Sequence, residues 1–378
     1  MTPSGLRAPA APDYKLEWSR LDETYDWVSG LKGCPQDPIH HAEGDVWIHT
    51  RMVLDALLAM PAWRALDVEG RDIVYLAALL HDVAKPITTR VEGARVTARG
   101  HSTKGALMAR EILWRLGVPF ATREAVCGLI RYHQVPYFLI DEADVQRRLC
   151  TISQAARCDL LALVAEADMR GRVCADQERV LLNVALFAEA AAAEGCASAP
   201  RPFPSGLARF WYFRKPERSP DYDPHDDSRC TVTVMCGLPG AGKDTWLKEN
   251  APHLPVISLD ALRETLDVDP RDPQGPVIEA AREAARVRLR RGEDFAWNAT
   301  NLSKDIRHRI IDLCADYNAR VRLVYVEVPE PTLRARNRAR PAAVPDRVID
   351  GLLRRWELPD ATEAAELVLA VHGADQGA

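Results

Sequence analysis

The chain has 378 residues with a formal net charge of −5, and it is 47% hydrophobic and 27% charged, which argues against disorder and suggests two or three domains. No apolar run approaches the roughly 20 residues of a membrane helix, and the N-terminus lacks a secretion signal. Nine cysteines without a CxxC pair argue against a disulfide framework, so we expect a cytoplasmic protein that does not bind a membrane.

The spacing of apolar residues divides the chain into three parts. Residues 1–195 have helical periodicity and form the first predicted domain. Residues 196–229 are rich in proline and charge, which predicts a linker with an aromatic docking element, Phe210–Phe213. In residues 230–378, short apolar strands alternate with helical segments, which indicates a parallel sheet. The predicted fold class is therefore multidomain, with an all-α helical bundle followed by an α/β domain.

Four ionisable residues of the helical domain occupy positions where the amphipathic pattern asks for an aliphatic side chain. They are His49, His81, His133 and Asp168. One such histidine is more often a hydrogen-bonded core residue, but an unpaired buried carboxylate costs free energy. The set as a whole favours a metal site, and its imidazole and carboxylate ligands suit borderline ions such as Mn, Co, Ni or Zn.

These residues, in their order along the chain, resemble the HD phosphohydrolase superfamily, whose signature is H…HD…D on a helical bundle. The matching motifs are LLHDVAKP, HSTKG and RYHQVP, and GDVWIHT with HDVAKP is also similar to the HD domain of tRNA nucleotidyltransferases. The resemblance implies one or two divalent transition metals. One ion would be held by His49, His81, Asp82 and Asp168, and a second by His101 and His133 with Asp82 as the bridge. Two such ions would generate hydroxide and hold a phosphoester in line.

Three further residues lie close to this set in the sequence. Lys85 follows the HD pair by one helical turn, and it is either a contact for the substrate phosphate or a solvated helix end. His40 and His41 precede the set and are interpreted as loop residues.

The segment GLPGAGKDT fits the pattern G-x-x-x-x-G-K, follows a predicted strand and opens a helix, as a phosphate-binding loop requires. The predicted nucleotide-binding residues of this loop are Gly237, Pro239, Gly240, Ala241, Gly242, Lys243, Asp244 and Thr245. Lys243 would reach the β and γ phosphates of ATP. Asp244 stands where a Ser or Thr hydroxyl normally ligates Mg²⁺, so the Asp244 carboxylate or the Thr245 hydroxyl would take that role.

The candidate catalytic residues of this domain come after the loop. Asp260 follows the second predicted strand and is expected beside the γ phosphate as a general base, with an N-cap role as the alternative. Arg263 lies one turn further on, where it could bind a substrate phosphate. Arg336 and Arg340 share a helix face and would form a lid over the transferring phosphate, with Pro341 ending the helix.

The motifs GLPGAGKDTW, SLDALR, WNATNL, RARNRAR and AVP, in that order, resemble the phage-type polynucleotide 5′-kinase family over residues 231–357. The resemblance implies that Asp260 is the base and that Arg263 binds the 3′-phosphate of the substrate. Lys243 and the lid arginines would stabilise the transferring phosphate. Asn298 stands where relatives often have Asp, and Asn301 is expected to structure its loop.

An HD phosphohydrolase followed by a polynucleotide kinase resembles the bacterial bifunctional end-healing enzymes called HD-Pnk. The resemblance implies phosphorylation of 5′-OH ends from ATP with Mg²⁺, and removal of 2′,3′-cyclic or 2′-phosphate from RNA or DNA ends, before a separate ligase acts. Two alternatives remain: a small-molecule nucleotidase fused to a nucleoside or sugar kinase, and a non-enzymatic ATP-gated module. The arginines at Arg263 and Arg286–Arg291 favour a phosphorylated polymer as the substrate.

Overall fold

A computed structural model of the chain describes residues 6–93, 95–340 and 342–373. It consists of two compact units, Met1–Pro202 and Phe203–Ala378. The predicted fold class is confirmed, because a helical region precedes a domain with a five-stranded parallel sheet. Among the described residues, no helix is both long enough and apolar enough to cross a membrane.

The first unit is built mainly from helices. They are α1 (Trp18–Thr24), α2 (Asp26–Leu31), α3 (Val46–Ala59), α4 (Pro61–Arg64), α5 (Val68–Leu80), α6 (Lys85–Thr88), α7 (His101–Arg115), α8 (Phe120–Tyr132), α9 (Val145–Ser153), α10 (Cys158–Arg170) and α11 (Gln177–Ala193). A short antiparallel hairpin, β1 (Arg90–Glu92) and β2 (Arg95–Thr97), joins α6 to α7.

Helix α5 is the central element of this bundle. Asp67 caps its N-terminus by accepting a hydrogen bond from the Gly70 amide, and every residue from Ile73 to Leu80 is buried. It packs against α3, α8 and α10. The two residues that follow Leu80, His81 and Asp82, are also buried inside the bundle.

Gly171 sets how closely the end of α10 approaches α3. A Cβ atom at this position would lie 2.6 Å from the backbone nitrogen of Val53, closer than any real Cβ contact. Only a residue without a side chain therefore fits here. The close approach brings Asp168 on α10 next to His49 on α3.

The second unit is an α/β domain. Its helices are α12 (Gly206–Arg214), α13 (Lys243–Asn250), α14 (Leu259–Thr265), α15 (Gly275–Arg291), α16 (Lys304–Asp316), α17 (Glu330–Arg338) and α18 (Asp346–Leu353). Its strands are β3 (Thr231–Cys236), β4 (Val256–Ser258), β5 (Phe295–Asn298), β6 (Arg320–Glu327) and β7 (Glu366–Val371).

The strand order is β4-β5-β3-β6-β7, and every pairing is parallel. The carboxyl ends of all five strands therefore lie at one edge of the sheet. The phosphate-binding loop leaves β3 at this edge, and the segments after β4 and β5 leave the strands beside it. Ligands of such sheets bind outside these carboxyl ends.

The boundary between the two units, after Pro202, lies inside the segment 196–229. The segment 196–229 was expected to be a linker, but residues from Phe203 onward belong to the second unit. Its aromatic stretch lies in α12, where Arg209 donates to the carbonyl of Ala361 and Arg214 pairs with Asp312. This helix is thus part of the α/β domain.

A buried ion pair ties α16 to the segment before β7. The Arg307 guanidinium is 1% exposed and bonds both carboxylate oxygens of Glu363, at 2.7 and 2.8 Å. It also donates to the carbonyls of Asn301 and Glu357. With all of these partners present, the buried charge is compensated.

Candidate functional site

Four histidines of the first unit form two close pairs inside the bundle. The Nε2 atoms of His49 and His81 are 3.3 Å apart, and those of His101 and His133 are also 3.3 Å apart. All four side chains are buried. Neither member of such a close pair can donate to the other when both Nε2 atoms carry only a lone pair.

The contacts of the Nδ1 atoms show that Nε2 carries no proton in three of the four neutral rings. His81, His101 and His133 each have a backbone carbonyl three residues upstream at 2.7–2.8 Å from Nδ1, and a carbonyl can only accept. The proton of a neutral ring is therefore on Nδ1. This arrangement leaves the Nε2 lone pairs free, as metal ligation requires.

Asp82 lies between the two histidine pairs. Its Oδ2 is 3.1 Å from His81 Nε2, and its Oδ1 is 3.5 Å from His101 Nε2. Oδ1 is buried and has no hydrogen-bond donor among the described residues. Such an orphaned carboxylate oxygen beside imidazole lone pairs fits a bound cation, because a buried acceptor without a partner is otherwise costly.

Lys85 closes one side of this group. Its ammonium is 2.7 Å from Asp82 Oδ2 and donates to Gln36 Oε1 at 2.6 Å. The residue is only 6% exposed, so it is not the solvated helix end that was the alternative interpretation. It lines the cavity that opens onto the histidines.

Asp168 completes the predicted ligand set from α10. Its Oδ1 is 3.1 Å from His49 Nε2, while Arg172 bonds both of its oxygens and the Tyr137 hydroxyl donates to Oδ2 at 2.7 Å. Arg172 and Tyr137 orient the carboxylate and offset its charge. All six predicted ligands of the first unit are therefore brought together.

Glu43 is a member of the site that the sequence did not reveal. Its Oε1 is 2.8 Å from Nδ1 of His49 and 2.8 Å from Nδ1 of His41, and its Oε2 accepts from the amide of Val173. His41 does lie in a loop, as predicted, but its ring contacts that of His49 with 4.7 Å between centroids. Glu43 thus orients His49 from behind, as second carboxylates do at metal centres.

Burial and charge shift the pKa values of the site. Burial, together with the neighbouring His101 and His81, lowers the pKa of His133 to about 3, and burial also lowers the pKa of His101. Burial opposes ionisation of Asp82, but His81 and Lys85 hold its pKa well below the usual range. The site therefore presents neutral His101 and His133 rings beside an ionised carboxylate. Burial opposes protonation of His81, but the adjacent Asp82 carboxylate raises its pKa above the usual value.

Three overlapping groups of possible ligands can be distinguished among the described residues, and Asp82 belongs to two of them. These two are His49, His81 and Asp82, and Asp82, His101 and His133, while His41, Glu43 and His49 form the third. The site lies under a cavity of about 480 Å³ whose lining includes Lys85, His101, Arg172 and the half-exposed ring of Phe138. This volume accommodates a ligand of nucleotide size.

In the second unit, the phosphate-binding loop has the backbone of an anion cradle. Gly237, Gly240 and Gly242 all have positive φ, and a Cβ on Gly237 would lie 2.4 Å from the carbonyl of Val326. The Lys243 ammonium donates to the carbonyls of Gly237 and Leu238. Burial lowers the pKa of Lys243 to about 8. The remaining predicted loop residues, Pro239, Ala241, Asp244 and Thr245, belong to the same turn and the start of α13.

The base of the loop is fixed by the segment after β5. The amide of Gly237 donates to the carbonyl of Thr300, and the Asn301 side chain donates to the carbonyl of Met235 in β3. Asn298, the last residue of β5, donates to Asp244 Oδ1 at 2.5 Å. Thr245 is exposed.

Asp260 lies in the first turn of α14 with its carboxylate exposed. Ser258 caps this helix by accepting from the amide of Ala261, so the alternative N-cap role of Asp260 is wrong. The Arg263 guanidinium donates to Asp260 Oδ1 and, at 2.6 Å, to Gln274 Oε1. The two predicted residues thus form one charged pair after β4.

Helix α17 ends at Arg338, so Arg340 lies beyond it, and the expectation that Arg336 and Arg340 share a helix face is wrong. The arginines of this segment also differ in their surroundings. Arg334 is held by Glu330, Asp346 and Asp350 and is structural. Arg336 reaches the phosphate-binding loop, with its Nη1 at 3.4 Å from the Ala241 carbonyl. Arg340 is close enough to lower the pKa of Lys243. Pro341 lies outside the described residues.

Comparisons with known proteins identify both units by class. Residues 46–168 match the HD domain family, and residues 232–359 match an AAA domain family. The chain therefore combines an HD domain with a P-loop, kinase-like domain.

The curated relatives cover only part of the chain. A multifunctional CCA protein from Halorhodospira halophila is 40% identical over 28% of this chain and 23% of its own length. A CC-adding tRNA nucleotidyltransferase from Thermus thermophilus is 36% identical over 36% of this chain and 29% of its own length. A bifunctional uridylyltransferase/uridylyl-removing enzyme from Nitrobacter winogradskyi is 31% identical over 31% and 12%. The chain thus spans less than a third of these relatives.

Among solved structures, a candidate kinase from Chloroflexus aurantiacus is similar, with 16% identity and a TM-score of 0.33. The match covers 38% of this chain and 86% of the other.

Proposed function

We propose that the chain heals both kinds of broken nucleic-acid end. The P-loop domain phosphorylates 5′-OH ends from ATP, and the HD domain removes a 2′,3′-cyclic or 2′-phosphate from the other end. The observation that carries this proposal is that one chain contains two groups of residues whose geometry suits phosphate chemistry. One is the ring of imidazoles around Asp82, and the other is the glycine cradle with Asp260 at the adjacent strand end.

In the kinase reaction, the residues of this chain have distinct tasks. Asp260 accepts the proton of the 5′-hydroxyl, whose oxygen then attacks the γ phosphorus in line and displaces ADP. Lys243, Arg336 and Arg340 offset the charge that develops on the transferring group. Arg263 binds the 3′-phosphate of the acceptor nucleotide and at the same time orients Asp260. Mg²⁺ bound near Asp244 would neutralise the phosphates.

In the HD domain, six side chains would hold the metal: His49, His81, Asp82, His101, His133 and Asp168. The two-ion arrangement follows the two ligand groups that share Asp82. Bound metal would supply a hydroxide at neutral pH. Lys85 contributes a cation at the cavity floor, where it attracts the substrate phosphate and keeps Asp82 ionised.

Two relatives carry names that refer to transfer RNA or its CCA end, which supports RNA as one substrate. After both ends are healed, a separate ligase would join them.

The test uses an oligonucleotide with a 5′-OH and a 2′,3′-cyclic phosphate. Wild-type protein should modify both ends. Asp260→Ala should lower 5′-phosphorylation at least about 100-fold and leave phosphate removal intact. Asp82→Asn should do the reverse. Glu264→Ala and Glu69→Gln, exposed neighbours on α14 and α5, are the matched controls. Activity on free nucleosides and mononucleotides alone would overturn the proposal in favour of a small-molecule pathway.

A further inference from the structure

The hairpin β1–β2 stands at the mouth of the HD cavity. It follows α6, which begins with Lys85, and it leads into α7, which begins with His101. Residues 96–101 line the cavity. The hairpin is therefore placed to touch the part of a substrate that extends out of the site.

The hairpin carries three exposed arginines, Arg90, Arg95 and Arg99. Within the described ranges, none of their guanidinium groups forms an ion pair or a hydrogen bond. Three arginines and one acid, Glu92, give residues 90–99 a net charge of +2, and Lys104 adds another exposed cation on the first turn of α7. Unpaired charges of this kind usually face solvent or a bound anion.

The contrast with α15 makes this distribution informative. Its arginines were expected from the sequence to favour a phosphorylated polymer. In the structure Arg286 pairs with Glu279 and Glu283, Arg290 with Glu283, and Arg288 and Arg291 with Glu293. That expectation is therefore corrected, because the charge of the α15 cluster is largely neutralised. The hairpin is the better anion-binding surface.

An aromatic ring accompanies these cations. Phe138 lines the cavity and is 58% exposed, an unusual state for a phenylalanine. Bases of single strands stack on such rings, while arginines bind the backbone. An aromatic face next to unpaired arginines fits a polynucleotide better than an acidic peptide or a lipid surface.

We propose that Arg90, Arg95 and Arg99 bind the backbone phosphates of a single-stranded polynucleotide and so guide its terminal phosphate into the HD cavity. The steps of five and four residues between them span at most about 18 Å and about 14 Å in extended chain, so the three arginines can contact more than one phosphate. The inference rests on the proposed phosphoesterase function and names its substrate as a polymer rather than a mononucleotide.

The experiment compares one reaction on two substrates. Full-length protein with bound metal is assayed on a 2′,3′-cyclic mononucleotide and on a ten-nucleotide strand with the same end. The triple variant R90Q/R95Q/R99Q should raise KM for the strand at least tenfold, and should raise KM for the mononucleotide, which can reach only Arg99 in the cavity lining, much less. The slope of log(kcat/KM) against log salt for the strand should become shallower by about 0.7 for each lost phosphate contact.

A matched control removes the same charge elsewhere in the unit. R115Q/R157Q/R170Q replaces three exposed arginines that are paired with Glu111, Asp159 and Glu166, and it should leave both substrates unaffected. The wild-type protein alone also tests the proposal. If the arginines guide the strand, log(kcat/KM) should fall more steeply with log salt for the strand than for the mononucleotide.

Three outcomes separate the failures. Equal kcat/KM and equal salt slopes on the two substrates would overturn the guide but leave the phosphoesterase standing. No hydrolysis of either substrate by wild type would overturn the proposed function itself. Loss of binding to phosphatidylserine vesicles in the triple variant, with unchanged strand kinetics, would assign the hairpin to a membrane surface instead.

Discussion

Asp244 on the phosphate-binding loop accepts a hydrogen bond from Asn298 at the end of β5, with 2.5 Å between Oδ1 and Nδ2. P-loop proteins commonly have a Ser or Thr hydroxyl directly after the loop lysine and a carboxylate on the neighbouring strand. The two groups together hold Mg²⁺. Here the carboxylate stands on the loop and the amide on the strand. The pair therefore still carries one negative charge, but on the loop residue instead of the strand residue.

This exchange predicts how the pair can be altered. Asp244→Ser alone removes the carboxylate and should raise the Mg²⁺ concentration for half-maximal ATP binding at least tenfold, or about 1.4 kcal/mol. The reciprocal variant Asp244→Ser with Asn298→Asp should recover most of that loss. Titration calorimetry at several Mg²⁺ concentrations measures both. An unchanged Mg²⁺ requirement in the single variant would show that Asp244 has no part in binding the ion.

Glu43 should affect metal binding through His49. Burial opposes its ionisation, but hydrogen bonds from His41 and His49 hold its pKa well below the usual range, so it is a carboxylate at neutral pH. Glu43→Gln should weaken metal affinity about 10–100-fold, and added metal should restore phosphoesterase activity. Competition with a chelator gives the metal affinity directly. The control Glu166→Gln changes a partly exposed residue paired with Arg170. Lost activity at unchanged metal affinity would contradict the positioning role.

ATP affinity should depend on pH because of Lys243. The protonated amine binds phosphate, and its pKa is lowered to about 8 in the ligand-free protein. Bound phosphate raises that pKa, so affinity is constant below pH 8 and falls as pH rises above it, by up to tenfold per unit. Binding of a fluorescent ATP analogue from pH 6.5 to 9.5 would record the decline. Lys243→Arg keeps its charge and should show no decline.

The buried Arg307–Glu363 pair should control the stability of the second unit. Arg307→Met leaves Glu363 buried without its partner and should lower the free energy of unfolding by about 3–5 kcal/mol. Replacing both, as Arg307→Met with Glu363→Leu, should cost less than the single change. Urea unfolding measures each variant. Arg309→Met, exposed on the same helix, should stay within about 0.5 kcal/mol of wild type, and a similar loss there would refute the argument.

The apolar pattern predicts four of the HD ligands, His49, His81, His133 and Asp168, because each stands where an aliphatic residue is expected. Asp82 and His101 are predicted only by the resemblance to the HD superfamily. The sequence does not predict Glu43, which lies in a segment without periodicity between α2 and α3. The contact between Asp244 and Asn298 depends on the strand order of the sheet, which local spacing does not specify. Arg307 lies on the apolar face of α16 with Ile310, Ile311 and Cys314, but local spacing does not show that Glu363, 56 residues away, is its partner.

Gly171 determines how closely α3 and α10 approach each other at the HD site, although it is not one of the predicted ligands. It touches α3 at Val53, close to His49, and its own carbonyl is 3.3 Å from His49 Nδ1. A single methyl group at this position would clash with Val53 and push α3 and the end of α10 apart. Every ligand would keep its chemical identity, yet His49 and Asp168 would no longer share a centre. The width of the candidate metal site thus depends on the absence of a side chain at residue 171.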